Sequence, residues 1–225
     1  FAFTGNKFEF RSLGSNDSIA CCNIMLNTAV ADILEKFADE LEGASDFNAA
    51  VSALVLKTIK EHKRIIFNGN GYSDEWVKEA ESRGLMNLKT TPEALAHLCD
   101  KKNVEVLKKE GVFTEVELKS RYDIYNDNYA KIIHIEALTM IDMTKKLYLP
   151  VASSYANELA GVVAAKKAVD AGIDATYETD LVKKVSSLTT GIYSKLQSLE
   201  KAECEVKSIS EVDELAAYYC NKVIP

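Results

Sequence analysis

Residues 114–150 read TEVELKSRYDIYNDNYAKIIHIEALTMIDMTKKLYLP, and their spacing decides the fold. Leu118, Tyr122, Tyr125, Tyr129, Ile132, Ile133, Ala137, Met140, Ile141 and Leu147 recur at intervals that line one side of a helix. Thr114 and Glu117 have the T-x-x-E spacing of a capping box, which satisfies backbone N–H groups that the first helical turn leaves open. Pro150 carries no amide hydrogen and its ring crowds the turn before it. The helix is therefore expected to kink or break there.

The same period extends both ways along the chain. Leu26, Val30, Ile33, Leu34, Phe37 and Leu41 form one stripe, which Gly43 ends as a left-handed cap. A helix is expected from Phe47 to His62 with Asp46 as its N-cap, carrying Val51, Leu54, Val55 and Ile59 on one face. Ser73 caps a short helix with Asp74 and Glu75 in its first turn, closing at Gly84. Thr91-Pro92-Glu93 starts another, which KKNVEVLKKEG either continues or follows, ending at Gly111. Val151, Tyr155, Leu159, Val162, Val163 and Val169 make a stripe ended by Gly172. A further helix carries Leu181, Val185, Leu188, Ile192, Leu196 and Leu199, and the last runs from Ser210 to about Val223. With 10 glycines and 3 prolines in 225 residues, the fold class is mainly α, with long antiparallel helices in a bundle.

The first residues differ. FAFT and KFEFR flank Gly5-Asn6, the pattern of a short β-hairpin. In a strand, Phe8 and Phe10 face one way while Lys7, Glu9 and Arg11 face the other. Glu9 and Arg11 then project side by side, roughly 7 Å apart. A carboxylate is a hard ligand for Mg²⁺, and a guanidinium grips a carboxylate or phosphate with two parallel hydrogen bonds. A solvated strand face with a weak charge pair is the alternative reading of the same five residues.

A formal net charge of −7 argues against a general nucleic-acid binder, whose affinity rests on a positive surface. No apolar run approaches the roughly 18 residues that span a bilayer. Five cysteines, an odd number with no C-x-x-C spacing, fit a reducing, cytoplasmic setting better than a disulfide scaffold. Cys21 and Cys22 read as small residues at a helix start. NGNGYSDEW has two glycines before a helix but neither a third nor a following Lys-Ser or Lys-Thr, so it reads as a turn rather than a phosphate loop. His62, His97 and His134 lie far apart and outside any metal-ligand spacing, and His134 reads as a satisfied core or interface residue.

Longer strings carry a resemblance. FAFTGNKFEFR followed by GS..SIA..N, then IKEHKRIIFNGNGYS, GLMNLKTTPEALAHL, EGVFTEVELKSRYDIY and IHIEALTMIDMTKKLYLP, closely resemble the C-terminal region of type III glutamine synthetases, in the family's order and over essentially the whole chain. The resemblance implies an enzyme that ligates ammonia to glutamate at the expense of ATP, through a glutamyl-phosphate, with Mg²⁺ or Mn²⁺. It implies Glu9 as a metal ligand and Arg11 as the clamp for glutamate or its phosphorylated form. The hairpin is then the remnant of a catalytic barrel. Residues 1–45 would be the C-terminal end of the catalytic domain and residues 46–225 a helical C-terminal domain. Type III enzymes look like stacked hexameric rings, so the implied partners are glutamate, ammonia, ATP and further copies of the chain, with no nucleic acid and no membrane. The family's other metal carboxylates, its metal-binding histidine and most nucleotide contacts would lie ahead of Phe1. The chain is therefore expected to be a C-terminal piece, inert by itself. The Cys21-Cys22 pair departs from the family, which often has another pair there, such as Gly and Pro, but it touches neither Glu9 nor Arg11. A second reading, from another class, is a helical oligomerisation module with no catalytic role of its own.

Overall fold

The computed structural model describes Ser18 to Pro225. The expected hairpin, with Glu9 and Arg11, lies outside the described residues. In chain order the helices are α1 (Ala20–Leu41), α2 (Phe47–Glu61), α3 (Asp74–Ser82), α4 (Thr91–Ala96), α5 (Lys101–Lys109), α6 (Glu115–Met143), α7 (Leu149–Val169), α8 (Thr176–Glu205) and α9 (Val212–Tyr218). No strand occurs among the described residues. The mainly helical class read from the sequence is what the structure has.

The helix boundaries follow local chemistry. The Asp46 side chain accepts a hydrogen bond from Ala49 N at 3.0 Å, and Ser73 Oγ accepts one from Trp76 N at 3.3 Å. Both are N-caps that satisfy an open amide. At α4 the capping residue is Thr90, one position earlier than expected: its hydroxyl accepts from Glu93 N while Glu93 reaches back to Thr90 N. Gly43, Gly84 and Gly111 have φ of +74°, +73° and +67°, the left-handed conformation in which a Cβ is costly. α4 and α5 are separate helices, so the KKNVEVLKKEG segment follows α4 without continuing it. α7 ends at Val169, three residues before Gly172; extended Asp170 ends it, and the Asp170 carboxylate takes the Gly172 N–H at 2.7 Å.

Pro150 neither ends the helix nor leaves an irregular break. Thr144–Tyr148 form a π-turn, with Leu149 N donating to Thr144 O, and α7 follows at once with the proline in its first turn. The wider turn absorbs one extra residue just ahead of the pyrrolidine ring, where an α-turn would press a carbonyl against it.

Two compact units divide the chain. The first holds the described residues up to Asn87 with Lys101–Glu115. In it α1 packs on α2 and on α5, Leu54 and Leu107 are buried, and so is Asp32. The second holds Leu88–Asp100 and Val116–Pro225. Here α7 and α8, joined by a short turn, pack along each other, and α4 meets α9. Its core gathers Ala130 and Ala137 of α6 with Tyr219 and Val223, backed by Tyr129, Ile133, Leu199, Ala202, Val206, Leu215 and Tyr218.

The stripe expected on α6 is corrected by these contacts. Its buried residues are Leu118, Asn126, Ala130 and Ala137, continued by Thr144. Ile132, Met140 and Leu147 are 54%, 59% and 51% exposed. Small side chains at seven-residue intervals let Tyr219 come close, and the bulky residues are displaced to the flanks. On α1, Leu26, Val30, Ile33 and Leu34 are likewise exposed.

Candidate functional site

Glu9 and Arg11 lie outside the described residues, so the structure neither joins nor separates them. What the described residues offer is an ion cluster, a buried polar triad and two clefts.

In the first unit, Asp32 is buried in the middle of α1. Its oxygens meet Lys109 Nζ at 2.8 Å and Lys36 Nζ at 2.6 Å, and Lys109 also meets Glu35 and Glu110. The Lys109 ammonium, then that of Lys36, hold the Asp32 carboxyl below its ordinary range, and Lys109 is raised in turn. Asp32, Glu35 and Glu110 are the one group of three acids, among the described residues, close enough to share a metal ion. Lys109 already fills the place such a cation would take. The cluster therefore does not fit the divalent ion that the resemblance implies; it ties α1 to α5.

In the second unit, His134 Nδ1 of α6 lies 2.7 Å from Glu203 Oε2 of α8 and 2.9 Å from the Tyr219 hydroxyl. Tyr219 is 2% exposed, and its pKa is pushed up to about 12 by burial and by the Glu203 carboxylate. His134 is thus a satisfied residue at the rim of the core. Periodicity placed it there, but its partners stand 69 and 85 positions away, beyond the reach of any local pattern.

The NGNG loop is a turn: Tyr72 N donates to Asn70 Oδ1 at 3.0 Å. A Cβ at Gly69 would stand 2.8 Å from the Phe67 ring. That ring stacks on Trp76 at 3.8 Å, and the Arg83 guanidinium lies 5.3 Å from the Trp76 ring while donating to Arg64 O and Ile66 O. The glycine there serves close packing, not phosphate binding. Cys21 and Cys22 lie in the first turn of α1.

A cleft of about 900 Å³ between α1 and α2 is lined mainly by apolar residues, among them Leu34, Phe37, Val51, Leu54 and Ile59. A polar cleft of about 380 Å³ in the second unit is lined by Glu93, Asp213 and Glu214, Asn126 and Asn221, and no lysine or arginine. Its field repels phosphate. Among the described residues no helix is long and apolar enough to cross a membrane.

Asp46 and Ser73 cap their helices as expected, and the described residues form a mainly helical fold in two compact units. The chain belongs to the glutamine synthetase C-terminal domain family, whose profile matches residues 50–167, more than half of it. It is 33% identical over 229 residues to a glutamine synthetase of Butyrivibrio fibrisolvens, a match covering 100% of this chain and 32% of the relative. It is 39% identical over 163 residues to the type-3 glutamine synthetase of Dictyostelium discoideum, covering 71% of this chain and 22% of the relative. A glutamine synthetase of Bacteroides fragilis (strain YCH46) is 31% identical over 235 residues, covering 100% of this chain and 32% of its own length. The chain thus spans about a third or less of the relatives it matches.

Proposed function

We propose that the chain serves in an ATP-dependent glutamate–ammonia ligase of the type III class, contributing the end of the catalytic domain and a helical domain behind it. The observation that carries this is the match to two relatives named glutamine synthetase along the whole of this chain. In this reading Glu9 is a ligand of a divalent cation, Mg²⁺ or Mn²⁺, and Arg11 holds the glutamate side chain or its phosphorylated form. The cation supplies neutralisation of the charge that builds up as phosphate approaches a second anion. Arg11 places a planar donor pair against the substrate carboxylate. The two phenylalanines seat the strand. An odd number of cysteines with no C-x-x-C spacing fits a cytoplasmic setting.

One carboxylate and one arginine cannot hold ATP, glutamate and their metals together, so the 225-residue chain is inert by itself. Glutamine formation from glutamate, ammonia and ATP, measured on the chain and on its Glu9→Ala variant, tests this. The reading expects no turnover from either; turnover by the native chain above the variant overturns it.

A second reading accompanies the first: the helical part shapes assembly of the enzyme into a homo-oligomer. Large apolar side chains left bare along α6, α7 and α8, such as Ile135, Val151 and Leu188, favour it.

A further inference from the structure

We infer that the α7–α8 hairpin pairs with the same hairpin of a second copy, α7 lying antiparallel to its twin, to close a four-helix bundle. The inference rests on the assembly reading above and names its surface. Two lines of residues run along α7. Ala152, Ala156, Leu159, Val163 and Lys166 are half-buried on the helix that packs along α8, and Lys166 pairs with Glu178 of α8. Val151, Tyr155, Glu158, Val162, Ala165 and Val169 form a second line, all exposed, Val151 at 68% and Val169 at 81%. Both lines step by alternating fours and threes, the spacing of a packing seam. At about 100° per residue the two seams lie about a quarter-turn apart around the helix. That is the angle at which a bundle helix meets its two neighbours.

α8 repeats the arrangement. Glu178, Val182, Val185 and Thr189 are half-buried along one line, and Leu181, Leu188, Ile192 and Leu199 lie along another. Because the two helices run in opposite directions, the second lines of α7 and α8 fall on the same side of the hairpin. At Leu199 that side is already packed against the Tyr219 core. At Leu188 and Ile192 it is bare. The open part therefore continues a packed surface.

The occupant follows from symmetry. The α7 seam is its own complement when reversed. A two-fold axis level with position 160 sets Val151 against Val169 of the second copy, Tyr155 against Ala165, and Glu158 against Val162. Valine meets valine at the ends, the largest side chain meets the smallest in the next layer, and an isologous contact forms with no gap in register. The one charge, Glu158, stands nearest the axis beside its own copy, so it opposes association.

Sedimentation equilibrium of the full 225-residue chain tests the pairing. The native chain is expected to dimerise. Val162→Lys and Leu188→Lys each weaken association by at least about tenfold, and Glu158→Gln strengthens it. Val116→Lys, at a position 79% exposed on α6 away from the seam, leaves it unchanged. Circular dichroism checks that each variant keeps its helices. A second measurement fixes direction: Tyr155→Cys chains mixed with Ala165→Cys chains form a disulfide-linked pair beyond the background of the native thiols, and neither variant links to itself. A native chain that is monomeric throughout overturns the inference, as does self-linking of Tyr155→Cys. Association indifferent to Val162→Lys overturns it while leaving the assembly reading in place.

Discussion

His134 Nδ1 and Glu203 Oε2 stand 2.7 Å apart at the edge of the second unit's core, and the contact is lopsided. The Glu203 side chain is 7% exposed, that of His134 44%, and Glu203 Oε1 is buried with no hydrogen-bond partner. A buried carboxylate with half its acceptors unmet depends on the partners it has. His134→Ala is therefore expected to cost about 2 kcal/mol, and Glu203→Gln, which removes the charge and keeps the shape, less than about 1 kcal/mol. Urea unfolding of the two variants checks the order. Glu203→Gln as the costlier change would contradict it.

Tyr219 gives an alkaline signature. Its folded pKa is about 12 against an ordinary 10.0, so the folded state keeps the proton that the unfolded chain releases. Stability from this group is whole below pH 10 and falls as pH rises toward 12, by on the order of 2 kcal/mol. Tyr219→Phe should unfold about 1–2 kcal/mol more easily at neutral pH and show a shallower decline above pH 10. Equal alkaline slopes in both proteins would contradict the assignment.

Asp32 gives the acid counterpart. Its carboxyl is held low by Lys109 and Lys36, so its contribution is present above the ordinary carboxylate range and is lost as pH falls through the lowered value. Lys109→Met leaves a buried carboxylate with one cation fewer. Its melting temperature should lie below that of the native chain at neutral pH, with the gap closing in acid. A gap that is constant from neutral to strongly acid pH would show that the ion cluster does not tie α1 to α5.

The single tryptophan reports on the NGNG loop. Gly69→Ala drives a methyl group into the Phe67 ring and tilts it off Trp76. The emission of Trp76 should shift to the red, at a cost of about 1 kcal/mol. Gly71→Ala, where a Cβ meets nothing within 4 Å, should leave the emission unchanged. A shift in both or in neither would mean that the stack does not depend on Gly69.

Helix starts and stops were legible because they are local. Asp46, Ser73 and the glycines at 43, 84 and 111 each act on a backbone group within a few residues. The partners of each helix were not. An apolar stripe says that a face wants cover, yet the closest approach on α6 runs through Ala130 and Ala137, which a search for large apolar residues passes over. The π-turn before Pro150 was half legible: proline announced a disturbance, but not that one extra residue in the turn would absorb it. The Glu203 partner of His134 was hidden by sequence distance. The candidate chemistry at Glu9 and Arg11 was read from alternation and likeness, and it lies in residues that the structure does not describe.

The central claim is tested most directly by glutamine formation in the Butyrivibrio fibrisolvens relative carrying this chain in place of the segment it aligns with. If Glu9 binds a catalytic metal and Arg11 the substrate, Glu9→Ala and Arg11→Ala each lower the rate by about a hundredfold or more, while His134→Ala changes it by no more than a few-fold. Full activity with alanine at position 9 would contradict the assignment of this chain's catalytic contribution.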